Sequence, residues 1–153
     1  MLYSDCSLTT AGIMNKGLYT SLTCEWETPK EFYEGLDAEF HFSLDVCAGP
    51  GNTQCAEYLS SGDMWSALIK PWVGVCWCNP PYGREIGQWM RKAYESSRRG
   101  ATVVCLIPSR TDTRWWHDWV MKADEIRFIK GRLHFSGSGP APFPSAIVVF
   151  RSR

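Results

Sequence analysis

A chain of 153 residues can bury a sizeable core but leaves little for a second domain, so we expect one domain over residues 22–153 without a separate recognition domain. With 44% hydrophobic and 21% charged residues, the composition excludes a disordered chain, and no apolar run approaches the roughly 20 residues that span a membrane. The net charge of zero hides an asymmetry, because residues 1–69 carry two basic and ten acidic side chains and residues 70–153 carry fourteen and six. A polyanionic partner would draw on the second half.

The seven cysteines indicate a reducing compartment. The number is odd, and the start of the chain lacks a charged segment followed by an apolar core, so we expect free thiols and a cytoplasmic location. Cys76 and Cys78 share one face of a predicted buried strand, where small apolar packing is the simpler role. Because paired C-x-x-C spacing is missing, we expect no metal site.

The first predicted elements are a flexible arm and a helix. Residues 1–21 are rich in Ser, Thr and Gly with little periodicity, which favours a flexible arm. Thr28 is predicted to cap the helix, with Pro29 at its first position. Its apolar face repeats at helical spacing in Phe32, Tyr33, Leu36 and Phe40. A strand over residues 42–47 follows and runs into a turn over residues 48–52.

The rest of the chain is organised around residues 74–83, an apolar run that ends in Asn79-Pro80-Pro81-Tyr82. The run predicts a buried strand that the two prolines stop, with Asn79 at its carboxyl end, where open α/β sheets bind ligands. The Asn79 side-chain oxygen and the Pro80 carbonyl could accept both hydrogens of an exocyclic amino group, and Tyr82 offers a ring face for a planar base. This arrangement suits an extruded nucleobase.

Strands and helices alternate after the motif. We predict a helix over residues 85–99, a strand over 101–107 buried on both faces, a short helix over 113–123 and a strand over 126–129. A turn over 130–132, a return over 133–135, a loop over 136–144 and a last strand over 146–150 follow. The pattern favours a three-layer α/β fold with a mostly parallel sheet and an antiparallel C-terminal strand pair. The 33 residues between Asp45 and Asn79 are too few for two full strand-helix units, so this sheet should be truncated.

Several segments carry a resemblance to a known family. Asn-Pro-Pro-Tyr resembles the catalytic motif of S-adenosylmethionine-dependent amino methyltransferases that act on adenine. Around it lie Trp26-Glu27-Thr28-Pro29, Leu44-Asp45-Val46-Cys47-Ala48, Leu106-Ile107-Pro108, the segment from Phe128 to Phe135 and Phe143-Pro144-Ser145. Together they look like the small phage-type DNA N-6-adenine-methyltransferase family over about residues 24–150. The resemblance implies a Rossmann-like methyltransferase fold and a phage or prophage gene product acting in the bacterial cytoplasm.

The resemblance also implies roles for individual residues. It makes Asn79, Pro80, Pro81 and Tyr82 the catalytic motif and S-adenosylmethionine the cofactor. The expected cofactor-binding residues are Thr28, Pro29, Asp45, Cys47, Ala48, Asn52 and Asn79, with Asp45 and the following turn against the methionine part. Glu57 and Asp63 are candidates for holding the ribose, and an exposed loop role is as good an interpretation of each.

Residues that follow strand or turn ends are the expected DNA contacts. The candidates for substrate binding are Tyr82, Arg84, Ser109, Arg110, Arg114, Lys130 and Arg132. Any one of the basic side chains could equally be solvated surface charge. The same motif could also act on RNA or on a protein amide, or the chain could be a nucleic-acid-binding module that has lost catalysis. The target sequence, a specificity partner and the oligomeric state are not predicted.

Overall fold

The computed structural model describes residues 26–48, 53, 55–60, 64–135 and 139–153. The predicted flexible arm over residues 1–21 lies outside the described residues, as do Asn52 and Asp63. In the described ranges, every helix is too short or too polar to cross a lipid bilayer.

The described elements alternate between helices and strands. In chain order they are α1 (Lys30–Phe40), β1 (Leu44–Ala48), β2 (Glu57–Ser60), α2 (Met64–Ile69), β3 (Val75–Cys78), α3 (Ile86–Ser97), β4 (Thr102–Pro108), α4 (Arg114–Asp118), a 3-10 turn (Val120–Lys122), β5 (Glu125–Phe128) and β6 (Ser145–Phe150). The predicted α/β fold is confirmed. The long apolar strand is confirmed as β4, and six of its seven residues are buried, as expected for a strand covered on both faces.

The strands form one sheet in the order β2-β1-β3-β4-β6-β5. The neighbours among β1 to β4 pair in parallel, and β6 is antiparallel to both β4 and β5. The predicted antiparallel C-terminal pair is therefore confirmed. Because β5 and β4 run the same way, the carboxyl ends of β1, β3, β4 and β5 meet at one edge, which we call the carboxyl edge.

Helices cover both faces of the sheet. On one face, Tyr33 of α1 packs edge-on against Trp77 of β3 with ring centroids 5.5 Å apart. On the other face, Tyr94 of α3 contacts Phe150 of β6 at 6.3 Å. Register assigns the remaining strand residues to a face, because residues directly opposite each other point the same way. We call the two sides the α1 face and the α3 face.

The strand order places the candidate site. The chain passes from β1 outward to β2, then returns to the other side of β1 as β3. Ligands of open α/β sheets bind at the carboxyl ends of strands where the order reverses in this way. The reversal lies between β1, which ends at Ala48, and β3, which is followed by Asn79. The strand order thereby makes neighbours of the segments that carry Asp45 and Asn79, which 33 residues separate in the chain.

Four local predictions are wrong. Thr28 does not cap α1, because Pro29 is the N-cap and its carbonyl accepts the first helical bond, from Tyr33 N. Glu57 starts the edge strand β2 and is not in a loop. Residues 113–123 split into α4 and a 3-10 turn, because Trp119 leaves the helical region at φ −125°. Residues 133–135 form a single bridge between His134 and Pro140 and no strand.

Candidate active site

The amide of Asn79 has a defined orientation. Its Nδ2 donates to the carbonyl oxygen of Trp26 at 2.7 Å and to Thr28 Oγ1 at 3.1 Å. Because a backbone carbonyl can only accept, this contact fixes which end of the amide is nitrogen. Oδ1 accepts from the Tyr82 hydroxyl at 2.9 Å. An amide oxygen accepts two hydrogen bonds, so within the described contacts Oδ1 keeps capacity for one more donor.

Tyr82 is placed differently from the sequence interpretation. Only 3% of the residue is exposed, and its ring meets Phe143 and Phe135 edge-on at 5.4 and 6.4 Å. Here the ring therefore offers little open face to a base, and the stacking role stays a prediction. The hydroxyl reaches two acceptors, Asn79 Oδ1 at 2.9 Å and Leu106 O at 3.1 Å. Burial raises the pKa of Tyr82 well above its usual value, so the phenol stays protonated and acts as a donor.

Four aromatic residues from distant parts of the chain, one of them from the motif, pack against one another, and we call them the aromatic cover. They are Trp26, Tyr82, Phe135 and Phe143. Trp26 meets Phe135 at 5.2 Å and Phe143 at 5.4 Å, both edge-on. Each such pair contributes about 0.5–1.5 kcal/mol beyond the burial of its surface. The cover joins the segments that contain Trp26, Phe135 and Phe143 to the Asn-Pro-Pro-Tyr motif. Trp26 also holds the motif directly, because its carbonyl accepts from Asn79.

Asp45 is a buried carboxylate on the α1 face of β1. It is level with Trp77, two residues before Asn79 on the neighbouring strand, and 5% exposed. Burial raises its pKa to about 6, although the backbone N–H of Cys47 donates to Oδ1 at 3.0 Å and opposes this rise. No described Lys or Arg forms an ion pair with it. A cationic ligand would offset the cost of this buried charge.

A cleft of about 200 Å³ opens beside the motif on the α3 side. Its walls come from the motif, the start of α3, the end of β4 and the start of α4. The lining residues are Tyr82, Gly83, Arg84, Ile86, Pro108, Arg110, Thr113 and Trp115. The walls combine apolar surface with two guanidinium groups, so the cleft suits a flat, partly polar ligand that continues into an anionic group.

The predicted DNA contacts fall into two groups. Arg84 and Arg110 line the cleft, and Lys130 and Arg132 are exposed in the turn that follows β5 at the carboxyl edge. Arg114 instead pairs with Asp118 along α4 at 3.3 Å and does not line the cleft. The hydroxyl of Ser109 is buried and has no described hydrogen-bond partner. Its side chain therefore faces inward, and a substrate contact of Ser109 stays a prediction.

The expected cofactor residues in the described ranges lie just before α1, at the end of β1 and after β3. Thr28 is 8% exposed, and its hydroxyl accepts from Asn79 Nδ2. Pro29, the next residue, is the N-cap of α1. Cys47 and Ala48, both buried, end β1. Asn52 lies outside the described residues. Tyr58 on β2 is 54% exposed.

The other reactive side chains that the structure describes form no catalytic arrangement. The five described cysteines are buried, and burial raises the pKa of Cys76 to about 12. His117 contacts Thr111 O at 2.8 Å outside the cleft. Among the described residues, no three His, Cys, Asp or Glu side chains are grouped as metal ligands.

Sequence reasoning misses part of the cleft. The sequence pattern assigns Trp115 to core packing and gives Thr113 and Ile86 no role in a site. A signal exists for Thr113, because it follows the carboxyl end of β4, where pocket residues collect. For Trp115 there is none, since an aromatic residue in an amphipathic helix is usually core.

The comparisons with known proteins identify the family of the chain. A family model described as DNA N-6-adenine-methyltransferase (Dam) matches residues 18–145. A curated relative, the DNA N-6-adenine-methyltransferase of Haemophilus phage HP1 (strain HP1c1), is 31% identical over 107 residues, which cover 68% of this chain. The match spans 61% of that relative's length. On the family match, this chain belongs to the DNA N-6-adenine-methyltransferase (Dam) family.

Proposed function

We propose that this protein transfers a methyl group from S-adenosylmethionine to the exocyclic amino group of adenine in DNA. The observation that carries the proposal is the orientation of Asn79, whose amide nitrogen is held by Trp26 and Thr28. Its oxygen is thereby left as an acceptor at the carboxyl end of β3. Membership of the family and the phage relative support the same activity.

The reaction requires the protein to align the two reactants and to provide a hydrogen-bond acceptor for the amino group. The bound cofactor supplies an electrophilic methyl group on a sulfonium that is already a good leaving group. The adenine amino nitrogen is a weak nucleophile, because its lone pair is delocalised into the ring. Asn79 Oδ1 and the Pro80 carbonyl accept its hydrogens and help to localise that lone pair. Most of the rate therefore comes from positioning.

The two ligands are assigned to opposite sides of the motif. Thr28, Asp45 and Asn79 form the cofactor side, and the buried Asp45 carboxylate fits a cationic cofactor because no described cation pairs with it. The cleft at Arg84, Arg110 and Trp115 is the substrate side. Asn79 links the two sides, because its Nδ2 donates to Thr28 and its Oδ1 accepts from Tyr82, which lines the cleft.

Adenine reaches this position only by leaving the duplex, at a cost of a few kcal/mol. Phosphate contacts from Arg84, Arg110, Lys130 and Arg132 would offset part of that cost. We assign the sheet to a shortened Rossmann-like methyltransferase fold. We place the reaction in the cytoplasm of a bacterial host.

Asn79→Ala tests the proposal. In an assay with a labelled methyl donor and with DNA, RNA and protein in parallel, the parent should label DNA. The variant should lose at least about a hundredfold in rate, as an enzyme does when it loses a preorganised contact to the reacting group. The fold should stay close to that of the parent, and Gln88→Ala, an exposed amide change on α3, should behave as the parent.

Three results would contradict the proposal in different ways. Activity of Asn79→Ala within a few fold of the parent would remove the role of the amide. Label in RNA or protein with none in DNA would reassign the substrate. If calorimetry detects no binding of S-adenosylmethionine, the chain is a binding module without catalysis.

A further inference from the structure

The end of β5 exposes a large aromatic residue that the fold does not use. Phe128 is 69% exposed, although burying such a side chain is worth about 1.5–3 kcal/mol. A single exposed apolar residue is ordinary in itself, but this one lies beside unpaired positive charge at the carboxyl edge. We propose that Phe128 stacks on a DNA base next to the extruded adenine, an inference that rests on the proposed function.

Register places Phe128 on the substrate side of the sheet. It lies opposite Ala146 of β6, which in turn lies opposite Ile107 of β4. These three residues therefore point to one face. Ile107 shares that face with Val103, which lies opposite Phe150, the contact of α3. Phe128 thus lies on the α3 face, where the cleft opens.

The distance to the cleft matches a neighbouring base. Phe128 is two strands from Ile107, and adjacent strands lie about 4.8 Å apart, so the two backbones are about 10 Å apart. Ile107 is followed directly by Pro108, a wall of the cleft. A strand of DNA with one base in the cleft would bring the flanking nucleotides within reach of Phe128.

The charges around Phe128 favour a polyanion. Lys130 and Arg132 follow it in the turn where Gly131 has φ +78°, and Arg110 lies across the edge in the cleft. No described residue forms an ion pair with any of these three. Asp112 is an exposed carboxylate in the turn between β4 and α4. Against three cations it leaves the net charge of this surface positive.

Arg127 does not add to this charge. It points to the α1 face, where its guanidinium nitrogens lie 2.7 and 2.6 Å from the Glu39 carboxylate oxygens. An aromatic face flanked by unpaired cations is the combination that binds unstacked bases. A second copy of this chain is a poorer occupant, because Lys130 and Arg132 on two such surfaces would repel.

Binding of a fluorescent duplex rich in adenine, measured by anisotropy at fixed salt, tests this inference. Phe128→Ala should weaken binding about 5- to 150-fold, the range that a lost base-aromatic stack gives. Phe128→Tyr should stay within about twofold of the parent, because it keeps the ring. Met121→Ala is the matched control, since Met121 is 60% exposed but precedes β5 at the opposite edge, and it should change nothing.

Salt dependence separates stacking from charge. Phe128→Ala should leave the slope of log Kd against log salt unchanged, whereas Lys130→Ala should reduce it by about one. Phe128→Ala binding within twofold of the parent would overturn the inference, as would Phe128→Tyr binding as weakly as Phe128→Ala. A parent that binds no DNA would overturn it too. So would sedimentation in which Phe128→Ala abolishes self-association and leaves DNA binding intact.

The inference and the proposed function fail differently. If the parent methylates DNA and Phe128→Ala binds and reacts as the parent does, the stacking role is wrong and the activity stands. If the parent binds DNA through Phe128 but labels none, the surface stands and the activity is wrong.

Discussion

At the scale of residues, the Tyr82 hydroxyl connects Asn79 with the backbone of β4. The Tyr82 hydroxyl lies within hydrogen-bond distance of Asn79 Oδ1 and of Leu106 O, but it has one proton to donate. When a substrate amino group donates to Oδ1, the phenol proton can turn to Leu106. We therefore expect Tyr82 to act as a positioning residue for the Asn79 amide.

Tyr82→Phe tests this role. The variant keeps the ring and removes the hydroxyl, so Asn79 loses a contact worth about 0.5–1.5 kcal/mol. We expect the methyl-transfer rate to fall by up to about tenfold, with cofactor and DNA affinity unchanged. Steady-state kinetics would measure this fall in kcat at constant KM. Tyr94→Phe, a half-buried tyrosine on α3, is the control, and an unaltered kcat for Tyr82→Phe would favour the stacking interpretation.

Asp45 makes stability depend on pH in an unusual direction. Its pKa is about 6 in the folded chain against 3.8 as a reference, so the folded state binds the proton more tightly. The proton on Asp45 stabilises the folded state below about pH 4, and this stabilisation is lost as pH rises through about 6. Asp45→Asn should therefore raise the free energy of unfolding at pH 7, by roughly 3 kcal/mol at most.

Urea unfolding at pH 4 and pH 7 measures this effect. The gain of Asp45→Asn over the parent should be large at pH 7 and small at pH 4, and equal gains would contradict the burial argument. Calorimetry of the same variant should find S-adenosylmethionine binding abolished or strongly weakened. In the parent, cofactor affinity should strengthen as pH rises through about 6, because the ionised carboxylate is the form that a cation favours.

At the scale of elements, the start of β3 depends on one glycine. Gly74 has φ +72°, and a Cβ there would lie 2.6 Å from Ser43 Oγ. That hydroxyl bonds both the N–H and the carbonyl of Val75, at 3.1 and 3.2 Å. The left-handed turn therefore sets the register of the strand that carries Asn79.

Two glycine substitutions test this dependence. Gly74→Ala should lower the free energy of unfolding by about 1–3 kcal/mol, because it adds backbone strain and a clash. Gly35→Ala in α1, where nothing lies within 4 Å of the added methyl group, should raise it by about 0.5–1 kcal/mol. Thermal unfolding should rank Gly35→Ala as more stable than the parent and Gly74→Ala as less stable. A Gly74→Ala variant as stable as the parent would contradict the dependence on Gly74.

At the scale of the whole molecule, the carboxyl edge should govern DNA affinity and selectivity. Four of the five predicted phosphate contacts, Arg84, Arg110, Lys130 and Arg132, give an expected slope of log affinity against log salt of about −3 to −4. Arg132→Ala should reduce the slope by about one. Arg98→Ala, which changes an exposed residue at the end of α3 on the opposite edge, should leave it unchanged.

Short loops leave few contacts for reading bases. Each good base-edge contact gives about 1–3 kcal/mol of discrimination, so one or two of them define a very short or relaxed target. We therefore expect methylated adenines in many sequence contexts, most of all at low ionic strength. Sequencing of DNA from cells that express the protein would map them. Modification confined to one motif of about six base pairs or more would contradict this expectation.

The sequence by itself determined most of the elements, although not β2 and α2, and one half of the candidate site. Continuous apolar runs specified β3 and β4, helical spacing specified α1 and α3, and the prolines after Asn79 placed that residue at a strand end. These features depend on neighbours in the chain, so a local pattern reveals them. The motif and its flanking segments also carried the family resemblance, which the family match confirms.

Only the tertiary structure decided how the other half is assembled. Thr28 bonds Asn79 across 51 residues, although its local pattern indicates a helix cap, and Trp26 meets Phe143 across more than a hundred. The burial of Tyr82, the exposure of Phe128 and the place of Trp115 in the cleft follow from strand order and from the packing of α4. Periodicity records which face of its own element a residue occupies. It does not record which element covers that face, because long-range packing sets that contact.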